Sequence, residues 1–313
     1  MSDLRQAVES YLAIRRSLGF ELRLPATLLH RFADFAEAEG ASHITTDLAL
    51  RWAKRPSDAQ PSTWAWRLGI LRRFAVWHSA TDPRTEVPPE GLLPHRYRRK
   101  PPYIYTDEEI ENLMQAAKDL RSSKGLKAHS YSTLFGLLAV TGMRISEVLN
   151  LDRKDVDLNE GILTIRRTKF GKSRLVPVHA SSQEALKAYA ETRDRILPGL
   201  STPAFFVTER RTRVAEWSAR YTFAKVSQKI GLREAASGHG RGPRLHDMRH
   251  RFAARTLVNW YHAGLDIERE IPKLATYLGH VHVNDTYWYL EAVPELLQLA
   301  TDRLIQRRKE AGS

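Results

Sequence analysis

Apolar residues at Leu4, Val8, Tyr11, Leu12 and Leu18 recur at helical spacing and stop at Gly19, which predicts an amphipathic first helix with a glycine break at its end. A second helix is predicted from Pro25 to Glu39, with Leu28, Phe32, Phe35 and Ala36 on one face and Gly40 just beyond. Thr46-Asp47 opens a short third helix through Trp52, and Ser62 opens a fourth that carries Leu68, Leu71, Phe74, Ala75 and Trp77. Four such helices can cover one another around Phe32, Phe35, Trp52, Phe74 and Trp77, with the basic residues of 51–73 left outside. Core filling is the commoner role for aromatics at this spacing, and we read them so rather than as platforms for bases.

From Ser79 to Tyr105 the apolar period disappears, while Pro83, Pro88, Pro89, Pro94, Pro101 and Pro102 accumulate among basic residues. The pattern predicts a basic, proline-rich linker at 83–104, between a helical domain at 1–82 and a larger domain at 105–313. Thr106-Asp107-Glu108-Glu109 has the spacing of a capping box and marks where the larger domain begins. Within it Leu134–Val140 is an apolar helical run ended by Thr141-Gly142, and Met143–Leu149 begins another helix. Ile162–Ile165 and Leu175–Val178 read as short strands flanking the basic turn Arg166–Arg174. Further helices are predicted at 182–195, 216–230, 245–262, 267–278 and 294–308. The fold class is therefore mainly α with a small β-hairpin or sheet.

At 313 residues and 42% hydrophobic the chain can bury a sizeable core and is long for one domain. Its net charge of +13 makes a polyanion the expected partner. Basic residues cluster at 51–73 (Arg51, Lys54, Arg55, Arg67, Arg72, Arg73), at Arg96 to Lys100, at Arg166 to Arg174 and at Arg241 to Arg255. Clusters spread along the whole chain suit a long ligand, although charge alone does not separate DNA from RNA or an acidic membrane. There are no cysteines, which excludes disulfides and thiolate metal sites and makes a reducing cytoplasm the simplest compartment. The twelve histidines show no metal-ligating spacing, so no metal or other cofactor is expected. Neither a signal core nor a membrane-length apolar stretch is apparent, and the sequence reads as a soluble intracellular protein.

Two stretches concentrate chemistry. In Pro243–Ala254, His246 and Arg249 stand three apart and emerge from one helix face, which suits a phosphate, although taken alone such a pair more often forms a solvated surface or satisfies a nearby carboxylate. Arg144 lies near a helix N-terminus, where a cation is unfavourable, so either an anion or Glu147 must hold it. Glu147 itself reads equally as a support for Arg144 or as an exposed helix residue.

Taken in order, Thr141-Gly-Met-Arg-Ile-Ser-Glu-Val-Leu149, Thr168-Lys-Phe-Gly-Lys-Ser-Arg-Leu-Val-Pro177, Leu245-His-Asp-Met-Arg-His-Arg-Phe-Ala253 and Leu278-Gly-His280 with Tyr289 resemble the motifs of the tyrosine recombinase (phage integrase) family. The resemblance is specific over roughly 105–292; the first domain is similar to the family's core-binding domain only in size, helicity and charge. It implies a helical core-binding domain, an α+β catalytic domain, and cleavage of DNA through a 3′-phosphotyrosyl intermediate without metal or ATP. It implies a phosphate clamp of Arg144 and Arg249, a general acid at Lys169, and His246 assisting proton removal from tyrosine. It further implies that His280 bonds the phosphate and that Tyr289 is the nucleophile. Tyr287 is the alternative nucleophile, about 200° from Tyr289 on a helix.

Arg51, Arg55, Arg67, Arg72, Arg73, Arg98, Arg99, Lys100, Lys172 and Arg174 are the candidate DNA contacts. The implied partners are a double-stranded recombination site, a tetramer of this chain whose C-terminal helix docks on a neighbour, and accessory recombinases. Met143 stands where the family commonly has Leu, and Val281–Leu290 is unusually rich in His and aromatics. Competing readings are a type IB topoisomerase and a DNA-binding accessory protein without turnover.

Overall fold

A computed structural model describes residues 3–94, 102–166, 173–234 and 242–311, with side chains described as far as Ile305. The chain divides into two compact units, Met1–Lys100 and Pro101–Ser313.

The first unit holds α1 (Asp3–Ser17), α2 (Arg23–Ala38), α3 (Thr46–Lys54) and α4 (Pro61–His78). Local chemistry sets their ends. Thr45 Oγ1 accepts the Leu48 N–H at 3.1 Å to cap α3, and Pro61 occupies the first turn of α4, where a missing N–H costs nothing. Val8, Leu12, Phe32, Trp52, Leu71 and Phe74 close the core. Leu18, expected on the buried face of α1, lies beyond the end of that helix and is 66% exposed.

Two expectations for this unit are corrected. Arg67 is not outside: its Nη2 donates to the Trp52 carbonyl at 2.9 Å, its guanidinium lies over the Trp52 ring, and it is 9% exposed. The Trp52 carbonyl, in the last turn of α3, accepts from the Arg55 N–H as well, and a cation is favourable at that helix end. The first part of the expected linker is also packed structure. Glu86 donates its N–H to the Ile44 carbonyl and accepts from Thr46, Thr85 is buried, and Leu93 enters the core.

In the second unit Thr106 Oγ1 accepts from the Glu109 N–H and the Glu109 carboxylate accepts from the Thr106 N–H, so the capping box opens α5 (Asp107–Lys118). The central helix is α6 (Leu126–Thr141), which starts well before the apolar run at Leu134. Ser130 and Ser132 break the run in sequence, yet both are buried, and Ser130 Oγ is bonded to the Val207 carbonyl. After α7 (Ile145–Leu149) come β1 (Val156–Asp157), β2 (Ile162–Ile165) and β3 (Arg174–Pro177), an antiparallel sheet with Ile162 opposite Pro177 and Ile165 opposite Arg174. The turn expected between β2 and β3 lies largely outside the described residues.

The remaining helices are α8 (Ala180–Ile196), α9 (Glu216–Lys229), α10 (Asp247–His262), α11 (Ile267–Leu278), α12 (Asn284–Ala292) and α13 (Pro294–Ala311). One core gathers Leu134, Phe135, Leu163, Tyr189, Phe205, Phe206 and Phe223, and a smaller one, of Ala253, Leu257, Ile271, Leu278, Tyr289 and Leu296, joins α10 to α13. Among the described residues no helix is long and apolar enough to cross a membrane.

Candidate active site

The C-terminal end of α11 organises the site. Its last carbonyls have no partners within the helix, and three successive ones each accept from a different arginine. The Tyr277 carbonyl takes Arg174 Nε at 2.7 Å, the Leu278 carbonyl takes Arg249 Nη2 at 2.7 Å, and the Gly279 carbonyl takes Arg144 Nη2 at 3.0 Å. Gly279 ends the helix at φ +69°, and a Cβ there would meet the guanidiniums of Arg174 and Arg144. On the opposite side Arg249 Nη1 donates to the Gly142 carbonyl at 2.9 Å. Gly142 ends α6 at φ +60° with Phe252 so close that a Cβ would lie 2.6 Å from its ring, which presses α6 directly onto α10.

Glu147 joins two of these arginines. Its carboxylate accepts both terminal nitrogens of Arg174, at 3.0 and 2.8 Å, and from Arg144 both Nη1 and the backbone N–H, each at 2.9 Å. Burial pushes the Glu147 carboxyl up, but bonding to Arg174, and to Arg144 after it, outweighs burial and holds it below the ordinary value. Arg249 is 2% exposed; burial first and the Arg144 charge second lower its pKa to about 10, so it remains charged at neutral pH. Three guanidiniums and one carboxylate leave a positive surplus suited to an anion.

The histidines and the tyrosine complete the cluster. His246 immediately precedes α10 with part of its surface in solvent; the protein crowded around the ring, then the Arg249 charge, push its pKa down to about 4. The His246 and His250 rings meet edge to face at 4.8 Å. His250 Nδ1 lies 3.0 Å from the Tyr289 hydroxyl, and Trp288 flanks the same imidazole. Tyr289 is 2% exposed, whereas Tyr287 on the same helix is 38% exposed. His280 Nδ1 is 2.7 Å from Thr286 Oγ1, and its ring lies parallel to that of Tyr289 at 6.5 Å.

Arg144, His246, Arg249, His280 and Tyr289 are thus brought together. Lys169 and Lys172, like Arg98, Arg99 and Lys100, lie outside the described residues. Arg174, expected to face DNA, is turned inward instead, because the buried Glu147 carboxylate and the Tyr277 carbonyl take its donors. In the first unit Arg51 pairs with Glu39 and Asp47, and Arg72 pairs with Glu90. Arg55 is exposed above Phe35, and Arg73 is exposed. Sequence reasoning left Glu147 undecided and passed over His250. The available signal was position, since His250 follows Arg249 directly and stands one helical turn after His246.

Comparison with known proteins places the site in context. The pattern that defines the phage integrase family matches residues 104–295. A putative integrase/recombinase of Sinorhizobium fredii, y4rB, is 50% identical over 311 residues, covering 98% of both chains. The tyrosine recombinase XerA of Thermococcus onnurineus is 30% identical over 217 residues, covering 68% of this chain and 67% of the relative. Among solved structures, the XerH site-specific recombinase bound to palindromic difH substrate, a post-cleavage complex, superposes with TM-score 0.65 at 19% identity, covering 89% of this chain and 77% of that one. A lambda integrase dimer bound to a COC′ core site superposes with TM-score 0.63 at 17% identity, covering 91% and 76%.

Proposed function

Since the chain belongs to the phage integrase family and is a tyrosine-type site-specific DNA recombinase, we propose that it cleaves and rejoins DNA through a 3′-phosphotyrosyl intermediate on Tyr289. The observation that carries this reading is the convergence of a buried tyrosine hydroxyl, two histidines of the family motifs and the Arg144–Arg249 pair at the end of α11. In-line displacement at a phosphodiester asks the protein mainly to position the reactants and neutralise charge on the non-bridging oxygens. Arg144 and Arg249 supply that charge, held by their carbonyl bonds so that they need not reorganise during reaction.

The Tyr289 oxygen attacks phosphorus, the bond to the 5′-oxygen breaks, and Lys169 delivers the proton that the departing oxygen needs. His280 bonds the scissile phosphate. The family assigns the tyrosine proton to His246, and in this chain His250 is the ring that touches both His246 and Tyr289. The phosphotyrosyl ester conserves the bond energy, so a 5′-hydroxyl can reverse the step.

Double-stranded DNA is the partner, and the reaction runs in a tetramer on two sites. On α13, Leu296 enters the protein's own core while Leu297, Leu304 and Ile305 are exposed, which supports docking of that helix on a neighbouring protomer. The exposed Arg55 and Arg73 are the first-unit candidates for backbone contact, and binding should weaken steeply with salt.

The test starts from duplexes selected out of a random pool by the full-length chain. Nicked versions should trap protein covalently, and paired intact sites should exchange strands. Relaxation of supercoils with no exchange between two sites would contradict the recombinase reading.

A further inference from the structure

As its oxygen bonds to phosphorus, Tyr289 must lose a proton, and His250 is in hydrogen-bond contact with that oxygen, with Nδ1 at 3.0 Å. This distance is within the reach a general base requires. The imidazole is held by ring contacts on several sides: His246 at 4.8 Å, Trp288 at 5.4 Å and Tyr289 itself at 5.5 Å. Its helix is fixed in turn, because the neighbouring Arg249 is anchored to the carbonyls of Gly142 and Leu278. His246 contacts the His250 ring, and burial with the Arg249 charge pushes its pKa down to about 4, which makes it a weak proton acceptor near neutral pH.

We propose that His250 is a catalytic residue, the base that takes the tyrosine proton, an inference that rests on the recombinase reading and deepens it. The Tyr289 oxygen–phosphorus bond forms and the phosphorus–O5′ bond breaks. The hydroxyl proton of Tyr289 passes to Nδ1 of His250, and the 5′-oxygen takes a proton from Lys169. In religation the 5′-hydroxyl attacks, and the imidazolium of His250 returns its proton to the departing tyrosine. The proton moves as the new bond draws charge from the tyrosine oxygen. A free phenolate is therefore avoided between reactions. The assignment requires Nδ1 to be unprotonated in the resting protein, with the ring proton on Nε2.

The experiment uses the full chain and a nicked duplex selected from a random pool by the wild-type protein. His250→Asn keeps a polar group near the Nδ1 position but has no basicity. It should bind the duplex within about threefold of wild type and form covalent adduct slower by on the order of 10²–10⁴-fold. Its rate should climb with pH where the wild-type rate has levelled off, and imidazole in the buffer should partly restore His250→Ala.

Adduct formation by His250→Asn at the wild-type rate with an unchanged pH profile would overturn the proposal. So would loss of the imidazole-dependent limb in His246→Asn but not in His250→Asn. A check that needs no variant is the nitrogen-15 spectrum of the resting wild-type chain, where a protonated Nδ1 on His250 would likewise refute it. Absence of wild-type adduct on every selected duplex would instead sink the recombinase reading beneath, a distinguishable failure.

Discussion

Replacing Glu147 with alanine strips one buried carboxylate from four donors supplied by two arginines. Removing one partner of a buried ion pair costs about 3–5 kcal/mol, because the remaining charge stays desolvated and unpaired. Arg144 retains 28% side-chain exposure and can rehydrate, whereas Arg174 retains 11%, so the lower end, about 3 kcal/mol, is expected. At roughly 2–4 °C per kcal/mol for a unit of this size, the melting midpoint of the second unit should fall by about 6–12 °C. The pH dependence has a definite sign. The Glu147 carboxyl is held below its ordinary value of 4.5, so its contribution is fully present above that value and is lost as pH falls through the folded pKa. Calorimetry of wild type and Glu147→Ala should show a wide gap at pH 7 that narrows as pH falls through the depressed Glu147 pKa, below 4.5. Adduct formation should fall while DNA affinity holds, since Arg144 loses its orientation. A variant melting within about 1 °C of wild type at pH 7, or a gap independent of pH, would refute the argument that this carboxylate holds the clamp.

Other consequences are equally direct. Gly142→Ala forces a left-handed residue against the Phe252 ring and should cost at least about 2 kcal/mol in urea unfolding, with loss of adduct as the Arg249 anchor shifts; a cost under about 0.5 kcal/mol would contradict the geometry. His246, with its pKa pushed down to about 4, should stay neutral from pH 5 upward in proton NMR. Protonation of the unfolded chain should then erode stability as pH falls below the ordinary value of 6.5, levelling off near pH 4, and a His246 that titrates at its ordinary value would contradict this. A 5′-thiolate leaving group needs little protonation, so it should rescue Lys169→Ala and leave Lys172→Ala unchanged; rescue of Lys172→Ala alone would move the acid to that residue.

What could be read from the sequence was whatever local chemistry decides. Thr106 with Glu109 announced a helix start, and Ile162–Ile165 announced a strand within one hairpin. Four motifs in order announced the family, and the spacing from His280 together with Thr286 three residues earlier favours Tyr289 over Tyr287. What stayed hidden depends on partners distant in sequence. Arg67 and Arg174 look like any exposed arginine until the Trp52 carbonyl and the buried Glu147 draw them inward. Glu147 could be a support or a surface residue until two arginines enclose it. Ser130 and Ser132 interrupt an apolar pattern that continues because their hydroxyls find carbonyls. The stretch from Thr85 to Leu93 has no period, yet its backbone and one leucine complete a core built by other helices. His250 was adjacent to a named arginine, but only the fold brings it to the tyrosine oxygen.

The most direct test of the central claim is to digest the covalent complex of the full chain with a selected, nicked duplex and locate the nucleotide by mass spectrometry. The account predicts a nucleotide on the oxygen of Tyr289, joined through its 3′-phosphate, with no such adduct from Tyr289→Phe and at least partial adduct from Tyr287→Phe. A nucleotide on Tyr287, or on any residue other than Tyr289, would contradict it.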